Sequence, residues 1–502
     1  FPGFTPTGAQ SMVAGLELPN GPSMHLIEAP TGTGKTESAL CLAHRLISSG
    51  AARGLYFALP TQATANAMET RVRGVASHLV EGVQPEDVVL AHSARGVTRM
   101  LQRSMSSPSD YSQDEPTASG YRKRWFSDRL KKALLAPIGV GTIDQALLAV
   151  LPVRHQSLRL FGLAGKVLIV DEVHASDHYV HRLLCVLLEH LAAIGGSAIL
   201  LSATLPSRMR QELVAAFGRG LQSSDPMELG SCSYPLVTTC GSGVASSQSL
   251  PTEPSSHRSL GLEYISEESS VIEKLVECVM AGSCACWIRN TVDDCLEAAE
   301  QLAARLGRAA VQVFHARFPL GRRLEIESQV LDNFGPRSTA AGRRGRILVA
   351  TQVVEQSLDL DFDYLASDLA PLDLLIQRAG RLRRHRRDKV GDRVQGADER
   401  GSPTLIVLGP AWNVEPRADW YANSFPRASF VYRHVGELWR TARLLQVNFE
   451  LRLPEQCQEW MSAVFDEGAA PPLPQGLNAL ELEAVAKGFG EGALASLNGL
   501  PL

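Results

Sequence analysis

The sequence has little net charge. Its 49 Lys and Arg residues are nearly balanced by 53 Asp and Glu residues, so the formal net charge is -4 over 502 residues. Such a chain cannot attract a polyanion through its overall field, and a nucleic-acid partner would have to be held by local basic patches. Hydrophobic residues make up 45% of the chain, which is typical of a globular protein with packed cores.

Paired cysteines and long apolar runs are also lacking. The nine cysteines are scattered, and the one close pair, Cys284 and Cys286, has no second pair at zinc-ligand spacing. Buried reduced thiols in a cytoplasmic protein are the favoured interpretation. Because no apolar run approaches the length of a membrane span, we expect no membrane partner. Residue 1 is Phe rather than Met, so we expect the chain to be part of a longer one.

Two blocks of short apolar runs alternating with helical patterns indicate two α/β domains with parallel sheets. The predicted strands are 25–29, 54–60, 166–172 and 197–204 in the first block, and 284–290, 310–316, 345–351, 363–369 and 403–409 in the second. The pattern predicts a first domain at 1–217, a Gly/Ser/Pro-rich linker at 218–260, a second domain at 261–410, a helical linker or truncated accessory region at 411–502, and an exposed insertion at 101–120.

The first predicted strand runs into a glycine-rich loop and then a helix, which is the context of a phosphate-binding loop. The loop consists of Ala29, Pro30, Thr31, Gly32, Thr33, Gly34, Lys35 and Thr36. Its backbone N–H groups would cradle the phosphates of ATP at a helix N-terminus. Lys35 would reach the β- and γ-phosphates, and the Thr36 hydroxyl would bind Mg²⁺.

A second apolar strand ends in Asp171, Glu172, Val173 and His174, which places two carboxylates where open α/β sheets bind ligands. Asp171 would hold the Mg²⁺, mostly through water, and Glu172 would position and deprotonate the attacking water. An Asp-Glu pair alone is most often a solvated strand end. The phosphate-binding loop in the same domain favours the catalytic interpretation.

Further segments resemble the motifs of superfamily-two helicases. Ser202, Ala203 and Thr204, taken with His174, resemble the segment that couples hydrolysis to strand movement. Residues 353–361 and 377–384 resemble the fifth and sixth motifs, which implies nucleotide-contacting roles for Asp359 and Gln377 and arginine-finger roles for Arg381 and Arg384. The family usually has Gly where Arg383 stands. We interpret Arg386, Arg387 and Lys389 as a solvated basic face.

Gln10 precedes the phosphate-binding loop by the interval at which these motors place a glutamine that reads adenine, and its amide offers both a donor and an acceptor.

Six segments, at 59–68, 137–152, 158–177, 287–294, 314–318 and 368–385, resemble the helicase portion of the helicase–nuclease of type I CRISPR interference. The resemblance implies two tandem RecA-like domains that form a nucleotide cleft, with a helical C-terminal tail. It also implies ATP-dependent translocation on single-stranded DNA after recruitment by the Cascade surveillance complex. No clustered His/Asp metal site is found in the sequence, so we expect the HD nuclease of that family to be fused upstream or to be a separate chain.

The same resemblance implies contacts with the DNA backbone, because a translocase must be indifferent to sequence. The implied contacts are Thr61, Gln62, Asn66, Thr142, Asp144 and Gln145 in the first domain, and Arg289, Asn290, His315, Arg317, Thr351 and Gln352 in the second. For each residue alone, an ordinary loop hydrogen bond is an equal interpretation. Two other functions stay open at this point, an RNA helicase and a nucleotide-gated module that docks to Cascade without unwinding.

Overall fold

The computed structural model describes residues 6–30, 32–91, 130–175, 178–223, 227, 229–230, 232–252, 257–355, 358–466 and 468–500. The predicted insertion at 101–120 and Thr31 lie outside these residues. The chain divides into two compact units, the first formed by Phe1–Pro254 with Gly488–Leu502 and the second by Ser255–Lys487. Within the described residues, no helix combines the length and the apolarity needed to cross a bilayer.

The first unit is built on a sheet whose strands are β1 (Ser23–Glu28), β2 (Leu55–Leu59), β3 (Val89–Ala91), β4 (Ile138–Thr142), β5 (Val167–Val170), β6 (Ser197–Ser202), β7 (Leu236–Gly241) and β8 (Val244–Ser249). Its helices are α1 (Gly8–Ala14), α2 (Lys35–Ser48), α3 (Gln62–Arg73), α4 (Ala76–Leu79), α5 (Ile143–Leu147), α6 (Gln156–Leu163), α7 (His178–Ala193) and α8 (Ser207–Gly220). Short 3₁₀ helices occupy Pro85–Asp87, Leu130–Leu135 and Val173–Ala175.

The strand order in this sheet is β3-β4-β2-β5-β6-β1-β7-β8. The six strands from β3 to β1 are parallel, and β7 and β8 extend the β1 edge antiparallel. Alternate residues of β5 enter two different apolar clusters, Leu168 and Val170 in one and Val167 and Ile169 in the other. The sheet is therefore covered by helices on both faces, which explains why its central strands are apolar throughout.

The second unit contains β9 (Arg258–Ile265), β10 (Ala285–Ile288), β11 (Val311–Phe314), β12 (Ile347–Ala350), β13 (Tyr364–Asp368), β14 (Thr404–Leu408) and β15 (Glu450–Leu453). Its helices are α9 (Glu268–Met280), α10 (Val292–Leu306), α11 (Leu320–Phe334), α12 (Ala340–Arg343), α13 (Leu372–Ala379), α14 (Trp420–Ser424), α15 (Val435–Val447) and α16 (Cys457–Phe465), with 3₁₀ helices at Gln352–Val354 and Ala428–Phe430. The last helix, α17 (Gln475–Asn498), begins in the second unit, and its residues from Gly488 onward belong to the first. The strand order is β11-β12-β10-β13-β14-β9-β15, and only β15 is antiparallel to its neighbour.

The nine predicted strands are all present, and the α/β class with two parallel-dominated sheets is confirmed. The prediction of a linker at 218–260 was wrong for 236–249, which forms β7 and β8. β8 is a polar edge strand, VASSQS, whose residues are exposed or half-buried, so it carries no apolar pattern. The predicted tail at 411–502 is mostly helical, but it also supplies β15, which pairs with β9.

Helices α7 and α8 are joined by a charged pair. His181 Nε2 lies 2.9 Å from Glu212 Oε2 and 3.8 Å from the Cys185 sulfur. Burial alone would lower the pKa of His181, but the hydrogen bonds to Cys185 and Glu212 outweigh it and raise this pKa to about 9. The same hydrogen bond to His181 lowers the pKa of Glu212 to about 2. The pair therefore binds a proton on His181 more tightly in the folded state than in the unfolded state.

This pair predicts a pH-dependent stability difference. The raised pKa of His181 gives stability that is complete below the unfolded value of 6.5 and is lost as the pH rises through about 9. The lowered pKa of Glu212 gives stability that is complete above 4.5 and is lost only as the pH falls through about 2. We expect His181→Gln to lower the thermal unfolding midpoint more at pH 6 than at pH 9.5. Glu212→Gln should show the same trend. If either variant lowered the unfolding midpoint equally at pH 6 and pH 9.5, the assignment would be contradicted.

Candidate nucleotide site and strand-end polar groups

The phosphate-binding loop joins β1 to α2, so its backbone N–H groups lie at the N-terminus of a 14-residue helix. Gly32 and Gly34 have φ angles of +86° and +82°, a left-handed conformation that a side chain would strain. A Cβ on Gly34 would lie only 1.9 Å from Gln10 Nε2. Glycine is therefore required at position 34, both for the loop conformation and for the close approach of Gln10.

The predicted adenine-reading residue, Gln10, contacts the phosphate-binding loop directly. Its Nε2 donates to the Gly34 carbonyl at 3.3 Å, and its Oε1 accepts from the Thr7 N–H at 2.9 Å. The second contact is half of a capping box, in which the Thr7 side chain also accepts from the Gln10 N–H. The sequence pattern at the start of α1 thus fixes the Gln10 side chain beside the loop, where a base attached to a bound phosphate would be within reach.

The ammonium group of Lys35 is held over the loop. Its Nζ donates to the carbonyls of Ala29 at 2.6 Å and Pro30 at 3.3 Å. Thr36 is the second residue of α2 and is half-buried. The cation and the hydroxyl predicted for phosphate and Mg²⁺ therefore occupy the first turn of the same helix.

Asp171 and Glu172 follow β5 directly, and both are half-buried. Burial raises the pKa of Asp171 above its usual range, and the neighbouring Glu172 charge raises it further, while Lys35 acts in the opposite direction. A divalent cation fits these residues, because its charge would offset the mutual repulsion of the two carboxylates and Asp171 supplies the oxygen ligands that Mg²⁺ prefers.

Glu172 has a φ of +55°, which is unusual for a residue with a side chain. Its Oε2 lies 3.2 Å from His174 Nε2. The two atoms are close but not aligned for a hydrogen bond, and both are buried without a hydrogen-bond partner among the described residues. A strained backbone and unsatisfied polar atoms of this kind are concentrated at functional sites.

His174 also connects the β5 loop to the end of β6. Its Nδ1 lies 3.0 Å from Ser202 Oγ and accepts from the Ala203 N–H at 3.3 Å. The Ser202 hydroxyl also donates to the Thr204 carbonyl at 2.9 Å. The predicted coupling residues Ser202, Ala203 and Thr204 therefore adjoin the predicted catalytic carboxylate through one imidazole.

One ion pair at this site was not anticipated from the sequence. Arg210 of α8 donates to both carboxylate oxygens of Glu28, at 2.6 and 3.0 Å, and Glu28 is 1% exposed. Burial raises the pKa of Glu28, and Arg210 acts against that rise. Glu28 is the last residue of β1, and the next N–H, that of Ala29, donates to the Ser202 carbonyl. The pair therefore fixes the start of the phosphate-binding loop to the segment after β6.

In the second unit, the predicted fingers differ in exposure. Arg381 is 3% exposed and donates to the carbonyls of Val354 at 3.2 Å and Glu355 at 2.7 Å. The Arg384 side chain is 20% exposed, and its Nε lies 2.7 Å from Asp359. The predicted nucleotide contact Gln377 is buried, and its Nε2 has no hydrogen-bond partner in the described part of the chain. Arg384 is thus the more accessible of the two candidate fingers.

The interpretation of Arg386, Arg387 and Lys389 as a solvated basic face was wrong for Arg387. Arg386 and Lys389 are exposed, but Arg387 is fully buried and its Nε donates to Asp361 at 2.6 Å. Its other N–H groups donate to the carbonyls of Gly335, Ser338 and Gly391. A run of basic residues does not reveal which member turns inward, because that depends on a carboxylate elsewhere in the chain.

The strand-end groups predicted to contact DNA lie at the carboxyl ends of adjacent strands in each unit. In the first unit they follow β2 and β4, and in the second they follow β10, β11 and β12. The members that are partly or fully exposed are Thr61, Gln62, Asn66, Asp144, Gln145, Arg317 and Gln352. The members that are buried are Thr142, Arg289, Asn290, His315 and Thr351.

Two of the buried members, Arg289 and Asn290, have internal partners. Arg289 pairs with Asp368 at 3.0 Å and with Glu268 at 3.1 Å, and its guanidinium lies 4.4 Å from the Trp287 ring centroid. Asn290 donates to the Leu369 carbonyl at 2.7 Å. The structure thus gives Arg289 and Asn290 a role in holding the second unit together.

Outside these motifs, one group of possible metal ligands is found among the described residues. Ligand atoms of His434, Glu437 and Glu481 lie within 4.8 Å of one another. Both oxygens of Glu481 are already used, one at 2.8 Å from His434 Nδ1 and the other accepting from the Gly436 N–H at 2.9 Å. A carboxylate at the first turn of α15 stabilises that helix terminus, and we assign Glu481 this capping role.

Comparison with known proteins gives two family matches. Residues 281–387 match the model of the CRISPR-associated nuclease/helicase Cas3 C-terminal region, and residues 9–213 match the DEAD/DEAH box helicase model. The CRISPR-associated endonuclease/helicase Cas3 of Escherichia coli (strain K12) is 38% identical over 479 residues, which cover 93% of this chain and 50% of that protein.

Solved structures agree with these matches. A crystal structure of T. fusca Cas3 with AMPPNP is 34% identical, with a TM-score of 0.84, and the match covers 100% of this chain and 56% of that one. A chain in a CRISPR RNA-guided surveillance complex in a pre-nicking state is 31% identical, with a TM-score of 0.76, covering 99% of this chain and 54% of that one. The chain thus spans about half the length of the relatives it matches.

The Glu28–Arg210 pair predicts a specific pattern of stability changes. Arg210→Met should lower the free energy of unfolding by about 3 kcal/mol, because it leaves a buried carboxylate without its cation. Adding Glu28→Gln should recover part of this loss, since the double variant has no buried charge at the site. Denaturant unfolding of the two single variants and the double variant measures the coupling, and additive losses would contradict it.

Proposed function

The chain belongs to the Cas3 family of CRISPR-associated nuclease/helicases, and from this premise we propose that it is an ATP-dependent motor that translocates along single-stranded DNA and unwinds duplexes. The observation that carries the proposal is the arrangement of the first unit, in which the phosphate-binding loop, the two carboxylates and the Ser-Ala-Thr segment all follow neighbouring parallel strands. Groups that must act on one nucleotide therefore lie at one edge of the sheet.

In the proposed reaction, the loop N–H groups and Lys35 bind the phosphates of ATP, and Gln10 contacts the adenine edge. Thr36 and Asp171 would hold Mg²⁺, which when bound supplies positive charge to the phosphate oxygens. Glu172 orients the attacking water and accepts its proton. Glu172 has a positive φ, and its Oε2 lies 3.2 Å from His174 Nε2.

Charge grows on the transferred phosphoryl group, and a guanidinium that reaches it lowers the barrier. We propose Arg384 as the principal finger, because it is the less buried candidate and its present partner, Asp359, is itself 43% exposed. A phosphate can replace a half-exposed carboxylate at little cost in desolvation. We assign Arg381 a supporting role, with Gln377 contributing the amide that has no hydrogen-bond partner among the described residues.

The imidazole of His174 is the group that we propose couples ATP hydrolysis to movement of the strand ends. A change in the charge or position of Glu172 during the reaction acts on His174, and through Nδ1 on Ser202 and Ala203. We propose that this contact coordinates the strand ends that grip DNA with the state of the nucleotide.

For the DNA path we retain the exposed strand-end groups as contacts with the phosphate backbone, namely Thr61, Gln62, Asn66, Asp144, Gln145, Arg317 and Gln352. Arg289 and Asn290 are left out of the proposed contacts because their polar groups are committed to internal partners. Five of these seven residues offer a hydroxyl or an amide, and Arg317 adds a cation, which suits contacts with a phosphate backbone rather than with base edges.

We further propose that Cascade recruits the chain and that the translocated strand is passed to an HD nuclease, either fused to this chain or separate from it. The support is the family membership and the similarity to a chain in a CRISPR RNA-guided surveillance complex.

Two substitutions test the ATP site. Lys35→Ala and Glu172→Gln should each lower the rate of DNA-stimulated ATP hydrolysis by roughly 10²-fold or more, since each removes a group that acts on the transferring phosphoryl. The thermal unfolding midpoint should change little, and Lys389→Ala, which removes an exposed lysine outside the site, is the matched control. Wild-type rates in Lys35→Ala or Glu172→Gln would overturn the assignment.

The nature of the substrate is tested with single-stranded DNA and RNA of equal length and sequence. We expect DNA to stimulate ATP hydrolysis more strongly, and ATP to drive displacement of a labelled strand from a tailed duplex. Stronger stimulation by RNA would favour an RNA helicase. Hydrolysis without strand displacement, combined with nucleotide-dependent binding to Cascade, would favour a docking module.

A further inference from the structure

A single buried carboxylate joins the fifth-motif and sixth-motif segments of the second unit. Asp361 is fully buried. Three guanidinium groups converge on it, with Arg387 Nε at 2.6 Å, Arg400 Nη1 at 3.1 Å and Arg343 Nη2 at 3.2 Å. A buried charge is tolerated only where it is paired, so these arginines are tied to the position of Asp361.

The segment that carries the candidate fingers is hydrogen-bonded to Asp361 and to its neighbour Phe362. The Phe362 N–H donates to the Arg381 carbonyl at 3.0 Å, and the Arg383 N–H donates back to the Phe362 carbonyl at 2.8 Å. The His385 N–H donates to Asp361 at 3.2 Å. Residues 381–387, which we call the finger segment, therefore run beside residues 359–363.

The finger segment contains a strained residue. Arg383 has a φ of +46°, at the position where the superfamily usually has Gly. A left-handed conformation is unfavourable for a residue with a side chain, so neighbouring contacts must hold it in place. The Arg383 guanidinium donates to the Arg400 and Asp363 carbonyls, and these bonds are available to arginine but not to glycine.

Arg400 lies outside every recognised motif, and its contacts distinguish it from the other two arginines. Its guanidinium donates to the His385 carbonyl of the finger segment, and it also contacts Asp361, Asp363 and Asp398. Arg343 contacts Asp361 and Asp363 from α12 without a bond to the finger segment. Arg400 therefore connects the buried carboxylates to the backbone one residue after Arg384.

We propose that Arg400 is a positioning residue that fixes the finger segment, so that Arg384 is presented to the nucleotide in a set orientation. This inference rests on the proposed ATPase function. Arg400 touches no reacting group and acts only through Arg384. Its forked guanidinium can bridge Asp361, Asp363 and the His385 carbonyl at once, which the single ammonium of a lysine cannot do.

The experiment compares Arg400→Gln, Arg400→Lys and the matched control Arg343→Gln, all measured in the whole chain with saturating single-stranded DNA. We expect both Arg400 variants to lower kcat for ATP hydrolysis by about 10-fold or more with KM for ATP within about 3-fold, because misplacement of a catalytic group affects the transition state. Arg343→Gln should lower the thermal unfolding midpoint by about as much as Arg400→Gln does. It should leave kcat within about 3-fold of wild type.

A double variant separates positioning from general destabilisation. If Arg400 acts through Arg384, then Arg384→Ala with Arg400→Lys should lose no more kcat than Arg384→Ala alone, because the group being positioned is absent. Multiplicative losses would overturn the proposal, as would recovery of wild-type kcat by Arg400→Lys or a parallel loss of kcat in Arg343→Gln. If wild-type protein hydrolyses no ATP, the proposed function fails instead. If Arg400→Gln does not fold, Arg400→Lys and its double variant decide the result.

Discussion

Parallel pairing of β4, β2, β5, β6 and β1 is the constraint on which the rest of the first unit depends. Because parallel strands have all their carboxyl ends at one edge, each loop that leaves that edge is brought beside the loops of its neighbours. The order of the strands then decides which polar groups lie beside one another. The nucleotide groups follow β1, β5 and β6, whereas the polar groups assigned to DNA follow β2 and β4. The two proposed sets of contacts therefore follow different strands of one sheet.

In the second unit, the unfavourable free energy of burying a charge is offset by pairing buried arginines with carboxylates. Arg289, Arg378 and Arg387 are buried, and each lies against a carboxylate, Asp368, Glu355 and Asp361 respectively. A buried guanidinium without a partner would be strongly destabilising, so these pairs are fixed features of the fold and cannot be released to a ligand cheaply. This separates arginines that build the unit from Arg384, whose partial exposure permits it to exchange Asp359 for another anion.

Backbone strain marks both segments to which we assign catalytic roles. Glu172 and Arg383 have positive φ angles. The Arg383 guanidinium donates to the Asp363 and Arg400 carbonyls, and Glu172 Oε2 lies 3.2 Å from His174 Nε2 in the same loop. Strain of this kind persists only where surrounding contacts over-determine the conformation. The ion pair between Glu28 and Arg210 constrains the start of the loop that we propose binds the phosphates.

The strand-loop-helix order and the residues that follow each strand can be predicted from the sequence, because hydrophobic periodicity and motif spacing are local. The sequence therefore predicted the phosphate-binding loop, the two carboxylates after β5 and nine of the strands. It could not predict β8, whose edge position removes the apolar signal, nor the burial of Arg387. Which charged residues form ion pairs depends instead on tertiary packing. Glu28 and Arg210 are 182 residues apart in the chain, and Asp361 and Arg400 are 39 apart. Pairing over such separations depends on how strands and helices pack, and no local pattern encodes it.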